Sequence, residues 1–387
     1  MERSMENFKS NSRYPDWSML PKKILEHLWK LLTIPDQAIA SSVCKKWHSS
    51  TSNKANIWAP DIPWLITDIE DTSPHYSLFS ISLQKIYKME KPFLPLDNTF
   101  IVGSCKGWLV IRSEVEIFIL NLFSKVRIDL PLRASQQHLL NSTPTVFTMS
   151  MCADLNPIIV AGVTFDGGLV WCNISDKEWK VYIGDEEYGN LAFYNDKLYA
   201  INHDGDKIDV FRIEDDELIP KGSMYATFPT TSPISDNFDI YLVESKGSLL
   251  VVKRHFEISS ILGQTINFEI FKVQERIDDV SPHQLVKMES LEDQVLFVSG
   301  LYCESLPAKH CSMLQEDHIY FIGHHAKDDK CELGIFSVNE GSMHRVPLTD
   351  STLNYPYWLC PRYAFACNCK YHDSTVLKRI SDYETNV

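Results

Sequence analysis

Two periodicities divide the chain. Between residues 17 and 54 apolar positions recur at helical spacing: Ile24, Leu25, Leu28, Leu31 and Leu32 follow Leu20-Pro21. Proline is tolerated in the first turn of a helix, so that dipeptide can open one. Ile34-Pro35 interrupts the pattern, Asp36 is placed to cap a second helix, and Ile39, Val43 and Trp47 recur every four residues along one stripe of it. From about Trp64 onward the pattern changes to short strands separated by turn signals. "TFIVGSCKGWLVIRSEVEIFILNLFSKVRIDL" (99–130) splits into four apolar runs at Cys105-Lys106-Gly107, Ser113-Glu114 and Phe123-Ser124-Lys125, which predicts a four-stranded meander.

The same grammar returns. One unit covers 145–183 with a turn at Asp166-Gly167-Gly168, and another covers 190–213 with turns at Asn195-Asp196 and Asp204-Gly205. A fourth begins near 238 and turns at Lys246-Gly247; a fifth runs from "VLFVSG" near 295 through "HIYFIG" and "ELGIFSV". The starts at 99, 145, 190, 238 and 295 lie 46, 45, 48 and 57 residues apart, a propeller-like period. Runs such as Leu249-Leu250-Val251-Val252 are apolar on both strand faces and need cover above and below, which radially packed blades give one another. Residues 64–90 and 355–366 are left to form a further blade from both ends of the chain. The predicted fold is a small all-α unit followed by an all-β domain, a six- or seven-bladed β-propeller, with a large β-sandwich as the alternative.

A chain of 387 residues, 44% hydrophobic, is long enough for one large domain and a small one. Its net charge of −14 is uneven: residues 1–54 carry nine Lys/Arg against five Asp/Glu, and the remainder carries 28 against 46. An acidic body argues against non-specific binding to nucleic acid or anionic membranes, and the basic start suits an acidic protein partner. No apolar run of transmembrane length and no secretory leader pattern is found, so an intracellular location, cytoplasmic or nuclear, is expected. Ten Cys without a CxxC pair are expected to be reduced thiols. The sequons at Asn141 and Asn173 then count as chance matches.

The helical segment spans only 35–40 residues, a size that rarely stabilises its own core, so a partner surface is the simplest cover for its apolar side chains. Burying Trp47 alone, at an assumed ~200 Å², contributes up to about 5 kcal/mol. Leu20-Pro21, Ile24-Leu25, Leu28, Ile39 and "VCKKW" (43–47) resemble the F-box. The resemblance implies docking on a Skp-type adaptor, and through it a cullin. Leu20, Pro21, Ile24, Leu25, Leu28, Ile39, Val43, Cys44, Lys45 and Trp47 would then form the adaptor contact, with Trp47 as anchor and Lys45 and Lys46 at the rim. "GSCKGWLV", "LNLFSKVRIDLP", "LAFYNDKLYAIN", "QLVKMESLEDQVLFVSG" and "DHIYFIG" are similar to stretches of a plant F-box family whose C-terminal half is a kelch-like, KIB-type propeller. The implied organisation is a disordered N-terminus (1–14), an F-box unit (15–54), a linker (55–63), the propeller (64–366) and a tail (367–387). The implied function is substrate recognition in a Skp–cullin–F-box ubiquitin ligase, non-catalytic and free of cofactors, with propeller loops holding an unknown protein target. A stand-alone propeller scaffold is the alternative. Only Gly167-Gly168 matches the kelch double glycine, and the Trp-Asp signature of WD repeats is missing.

Catalytic constellations are weaker. Cys360, Cys367, Cys369 and His372 lack the paired knuckle spacing of a zinc site, as do Cys303, His310, Cys311, His324 and His325. Gly-x-Ser-x-Gly, the P-loop and Gly-x-Gly-x-x-Gly do not occur, and the Ser-x-x-Lys matches at Ser42 and Ser82 are too short to count. Asp185-Glu186-Glu187 and Glu214-Asp215-Asp216-Glu217 read as solvated loops, and Asp204-Gly205-Asp206 as a hairpin turn rather than a calcium loop. A propeller hydrolase needs a carboxylate pair at its channel, and no pair here is singled out by spacing.

Overall fold

The computed structural model describes residues 17–32, 40, 43–47, 62–68, 75–81, 85–90, 100–113, 116–123, 125–131, 146–151, 157–164, 166–182, 184–225, 237–258, 263–274, 284–310, 313–324, 331–346 and 354–360. The chain divides into two units, Met1–Ala59 and Pro60–Val387.

The second unit is a β-propeller of six sheets. Blade II is the predicted meander: Phe100–Cys105, Trp108–Arg112, Ile117–Asn121 and Val126–Leu130. Blade III comprises Val146–Met151, Pro157–Val163, Leu169–Asn173 and Lys180–Tyr182. Blade IV comprises Tyr188–Tyr194, Lys197–Asn202, Lys207–Glu214 and Glu217–Tyr225. Blade V comprises Phe238–Ser245, Ser248–Ile258, Gly263–Gln274 and Gln284–Met288. Two-residue turns at Lys106-Gly107, Asn195-Asp196, Asp215-Asp216 and Lys246-Gly247 hold both residues at positive φ, the geometry that matches strand twist in a tight hairpin.

Apolar alternation explains the stacking of blades. In blade V, Leu250 and Val252 pack with Leu296 and Val298 of the following sheet, whereas Leu249 and Val251 pack with Ile201 and Ile208 of blade IV. In that following sheet Val295 and Phe297 turn the other way, toward Leu65 and Trp358. Every second side chain of one strand therefore serves a different interblade core, so the strands carry no polar face of their own.

Both chain ends build blade I, in the order Asn354–Leu359, Trp64–Asp68, His75–Ser80, Lys85–Glu90. The register sets Trp64 opposite Leu359 and Leu65 opposite Trp358. Ile62, 1% exposed, already belongs to the propeller core, so the expected linker ends before it.

Blade VI departs from the repeat. Its order is Tyr302–Pro307, Gln294–Ser299, His318–His324, Cys331–Ser337, Ser342–Val346. The chain enters at Gln294–Ser299, reverses at Gly300-Leu301 and lays Tyr302–Pro307 beside the first strand of blade V, where the Ser245 and Ser305 hydroxyls lie 2.7 Å apart. It must then cross back, so His318–His324 pairs parallel with Gln294–Ser299. The 57-residue interval before it belongs to blade V, whose two middle strands, Ser248–Ile258 and Gly263–Gln274, run to 11 and 12 residues.

Among its described residues the N-terminal unit holds a 3₁₀ turn, Trp17–Met19, a helix, Lys22–Leu31, and short helical pieces at Ala40 and 45–47. No all-α domain is evident from them. The continuous second helix is corrected: Val43 and Cys44 are not helical, and the Val43 N–H reaches back three residues to the Ala40 carbonyl at 3.2 Å. A β-branched residue after two serines, whose hydroxyls compete for backbone groups, favours that break. Val43 is exposed, whereas Trp47 is half-buried and packs against Leu25 and Ala40. Asp36, Ile39, the 1–14 segment and the 367–387 tail lie outside the described residues.

Candidate interaction surfaces

Leu20-Pro21 does open the first helix: the Ile24 and Leu25 amides donate to the Pro21 carbonyl at 2.9 and 3.1 Å. Leu25, 1% exposed, turns inward and forms with Ala40 the small core of this unit, against which Leu20, Leu32 and Trp47 pack. The Trp47 Nε1 donates to the Trp17 carbonyl at 3.1 Å, tying the end of the F-box-like segment to its beginning. Of the expected contact residues, Pro21, Ile24, Val43 and Lys45 are exposed, while Leu20, Leu28, Cys44 and Trp47 are half-buried. Trp17 and Met19, 60% and 69% exposed, extend the same apolar set and were not picked out by spacing, because they precede the helical pattern.

On the propeller, a groove of about 790 Å³ runs between the outer edges of blades III and IV. Its walls carry Trp171, Trp179 and Tyr182, and its charges are Asp176, Lys177, Glu178, Lys180, Asp216 and Glu217. Lys180 bridges the two blades, 2.9 Å from Asp176 and 2.7 Å from Asp216. Burial lowers its amine, but the hydrogen bonds to Asp216 and Asp176 outweigh that and leave it raised above the usual lysine value. The acidic run at 214–217 is thus a hairpin that closes on blade III as well as a solvated loop.

A continuous polar network joins blades V and VI. Arg254, 2% exposed, donates to Asp239 Oδ2 from Nε at 2.9 Å and from Nη2 at 2.5 Å, and to Thr265 Oγ1 from Nη1 at 2.9 Å. The Thr265 amide and hydroxyl donate to Glu332 at 2.9 and 2.7 Å, and Arg345 donates to both Glu332 and the Thr265 carbonyl at 2.8 Å. Gly323 leaves room for the guanidinium: a Cβ there would overlap Arg254 Nη1. The only hint in the sequence was a Lys-Arg pair ending an apolar run.

On the other face of the same strand Lys253 is buried toward blade IV, its Nζ 4.3 Å from the Phe238 ring. Desolvation pushes its amine down to about 8, only partly offset by Glu269 and Asp206. Unfolded, the same amine titrates near 10.5. Between these values the unfolded chain binds the extra proton, so this residue's contribution to stability rises as pH increases through the window. Urea unfolding from about pH 7 to 10.5 is expected to show that rise in the native protein and a flatter profile in Lys253→Met; identical profiles would refute it.

Buried polar clamps, interblade apolar cores and tight turns define a six-bladed β-propeller preceded by a short helical unit. Within that class, the chain belongs to the KIB1-4 β-propeller family, which it matches over residues 78–341. The match covers most of the chain and not a C-terminal half alone. An F-box/kelch-repeat protein of Arabidopsis thaliana is 25% identical over 341 residues, covering 85% of this chain and 88% of that one. An F-box protein of the same plant is 24% identical over 371 residues, covering 89% and 97%. Among solved structures, the β-propeller domain of Cps50 (Swd1) from Myceliophteria thermophila is similar at a TM-score of 0.37 and 11% identity, over 73% of this chain and 85% of that one.

Proposed function

We propose that this protein is the substrate-recognition subunit of a Skp–cullin–F-box ubiquitin ligase. The N-terminal unit docks the Skp-type adaptor, and the propeller holds a protein target. The observation that carries this reading is an imbalance: the unit's described core consists of Leu25 and Ala40, while Trp17, Met19, Ile24 and Val43 stand exposed. Covering the exposed half or more of each such side chain contributes roughly 1–2 kcal/mol, a gain that a partner surface supplies and the unit's own core does not. The F-box names of full-length relatives support it. Tethering alone then acts by raising the effective concentration of a target lysine near a charged enzyme, and the chain needs no catalytic group or cofactor.

The test is capture of a purified Skp-type adaptor by the full chain. Ile24→Asp with Val43→Asp changes only exposed positions and is expected to weaken capture at least about 100-fold by burying unpaired charge. The propeller's unfolding midpoint should stay unchanged. Trp47→Ala should also lose capture, but it removes internal packing as well and is the less clean variant. Undiminished capture by the double variant would remove the docking assignment. A stand-alone propeller scaffold is the second reading, supported by the single α-helix among the unit's described residues. It predicts no adaptor in complexes purified from cells.

A further inference from the structure

The groove between blades III and IV has three properties that belong together. First, its floor includes a sheet edge: Lys180–Tyr182 is the last strand of blade III and, among the described residues, pairs on one side only, with Leu169–Trp171. Second, it is acidic, with four carboxylates against two lysines, and Lys180 is already shared by Asp176 and Asp216. Third, Trp171 lines it, is 5% exposed, and its buried Nε1 has no acceptor among the described residues. The Nε1 is closed to solvent in the free chain, so an incoming carbonyl reaches it only as the groove opens, and would then recover the about 1–3 kcal/mol that a buried N–H without an acceptor costs.

We propose that this groove receives an extended lysine- or arginine-bearing segment of the recruited protein, laid along Lys180–Tyr182 as a fifth strand of blade III. Its main chain pairs with the open edge, and its cations face Glu178, Asp216 and Glu217. Strand addition draws affinity from backbone hydrogen bonds and specificity from alternate side chains. The inference rests on the target-recruiting reading above and names the chemistry of what is recruited.

The experiment uses the full chain and a fluorescein-labelled ten-residue peptide alternating Lys and Val. A Glu/Val peptide and an N-methylated Lys/Val peptide are the comparisons, and affinity is read by anisotropy. The Lys/Val peptide is expected to bind at least about tenfold tighter than Glu/Val and to weaken with salt. N-methylation, which removes main-chain donors, should cost about tenfold or more. Glu178→Lys with Glu217→Lys should do the same while retaining native unfolding, and Trp171→Phe, which removes the indole N–H and keeps an aromatic ring, should weaken binding severalfold. Equal binding of the two charge types, unchanged affinity of the N-methylated peptide, or wild-type affinity in the charge-reversed variant would each overturn the assignment. Adaptor capture is measured on the same samples. Peptide failure with capture intact sinks the groove alone; intact peptide binding without capture by the wild-type chain sinks the ligase reading instead.

Discussion

Trp358→Ala is expected to destabilise the propeller by about 3–5 kcal/mol, the range for removing a large buried aromatic side chain. The residue is 1% exposed, its ring meets Phe297 edge-on at a centroid distance of 5.1 Å, and its Nε1 donates to the Val298 carbonyl at 3.2 Å. It thus fastens the C-terminal strand of blade I to blade VI while that strand's backbone pairs with Trp64–Asp68. Loss of the ring leaves a cavity and a carbonyl without its donor at the junction where the ring of blades closes. Urea denaturation should give a lower midpoint, and limited proteolysis should cut blade I first. Trp358→Phe keeps much of the volume and should cost less. A change below about 1 kcal/mol in the alanine variant would mean that the closure does not depend on this contact.

Arg254→Ala should cost a similar amount, because removing one member of a buried ion network strands the others; such losses run to about 3–5 kcal/mol. Asp239, Thr265 and Glu332 would each lose a partner, directly or through the chain of bonds. Arg254→Met should be milder, as it restores apolar volume. The sharper measurement couples this site to Gly323. In the native protein Gly323→Ala forces a guanidinium held by Asp239 and Thr265 out of place, whereas in the Arg254→Met background the added methyl group has only a flexible thioether chain to displace. A double-mutant cycle over Gly323→Ala and Arg254→Met is expected to show coupling above about 1 kcal/mol. Additive effects would separate the glycine from the network.

Most of the propeller was legible because its strands are apolar on both faces and its turns are chemically marked. The unit starts read at 99, 145, 190 and 238 fall within two residues of strands beginning at Phe100, Val146, Tyr188 and Phe238. The strands that escaped are the polar ones. Tyr302–Pro307 carries Glu304 and Ser305 beside a neighbouring sheet's hydroxyl, and Glu217–Tyr225 is an outer edge with mostly exposed residues. Neither position requires the apolar alternation from which a strand is recognised. The helical end was legible at Leu20-Pro21 and misleading at Val43, where local backbone competition overrode a regular apolar spacing. The groove was invisible as a unit, since Trp171, Lys180 and Asp216 come together only through packing between blades.

The two-ended construction of blade I also dictates a timetable for biosynthesis. Strands at Trp64–Glu90 leave the ribosome early and wait for roughly 260 further residues before Asn354–Leu359 arrives, about 13–50 s at ~5–20 residues per second. During that interval the nascent ring stands open with an apolar seam unsealed, a substrate for chaperones. A nonsense codon anywhere upstream of Asn354 would therefore forfeit closure of the entire domain, however many finished blades precede it.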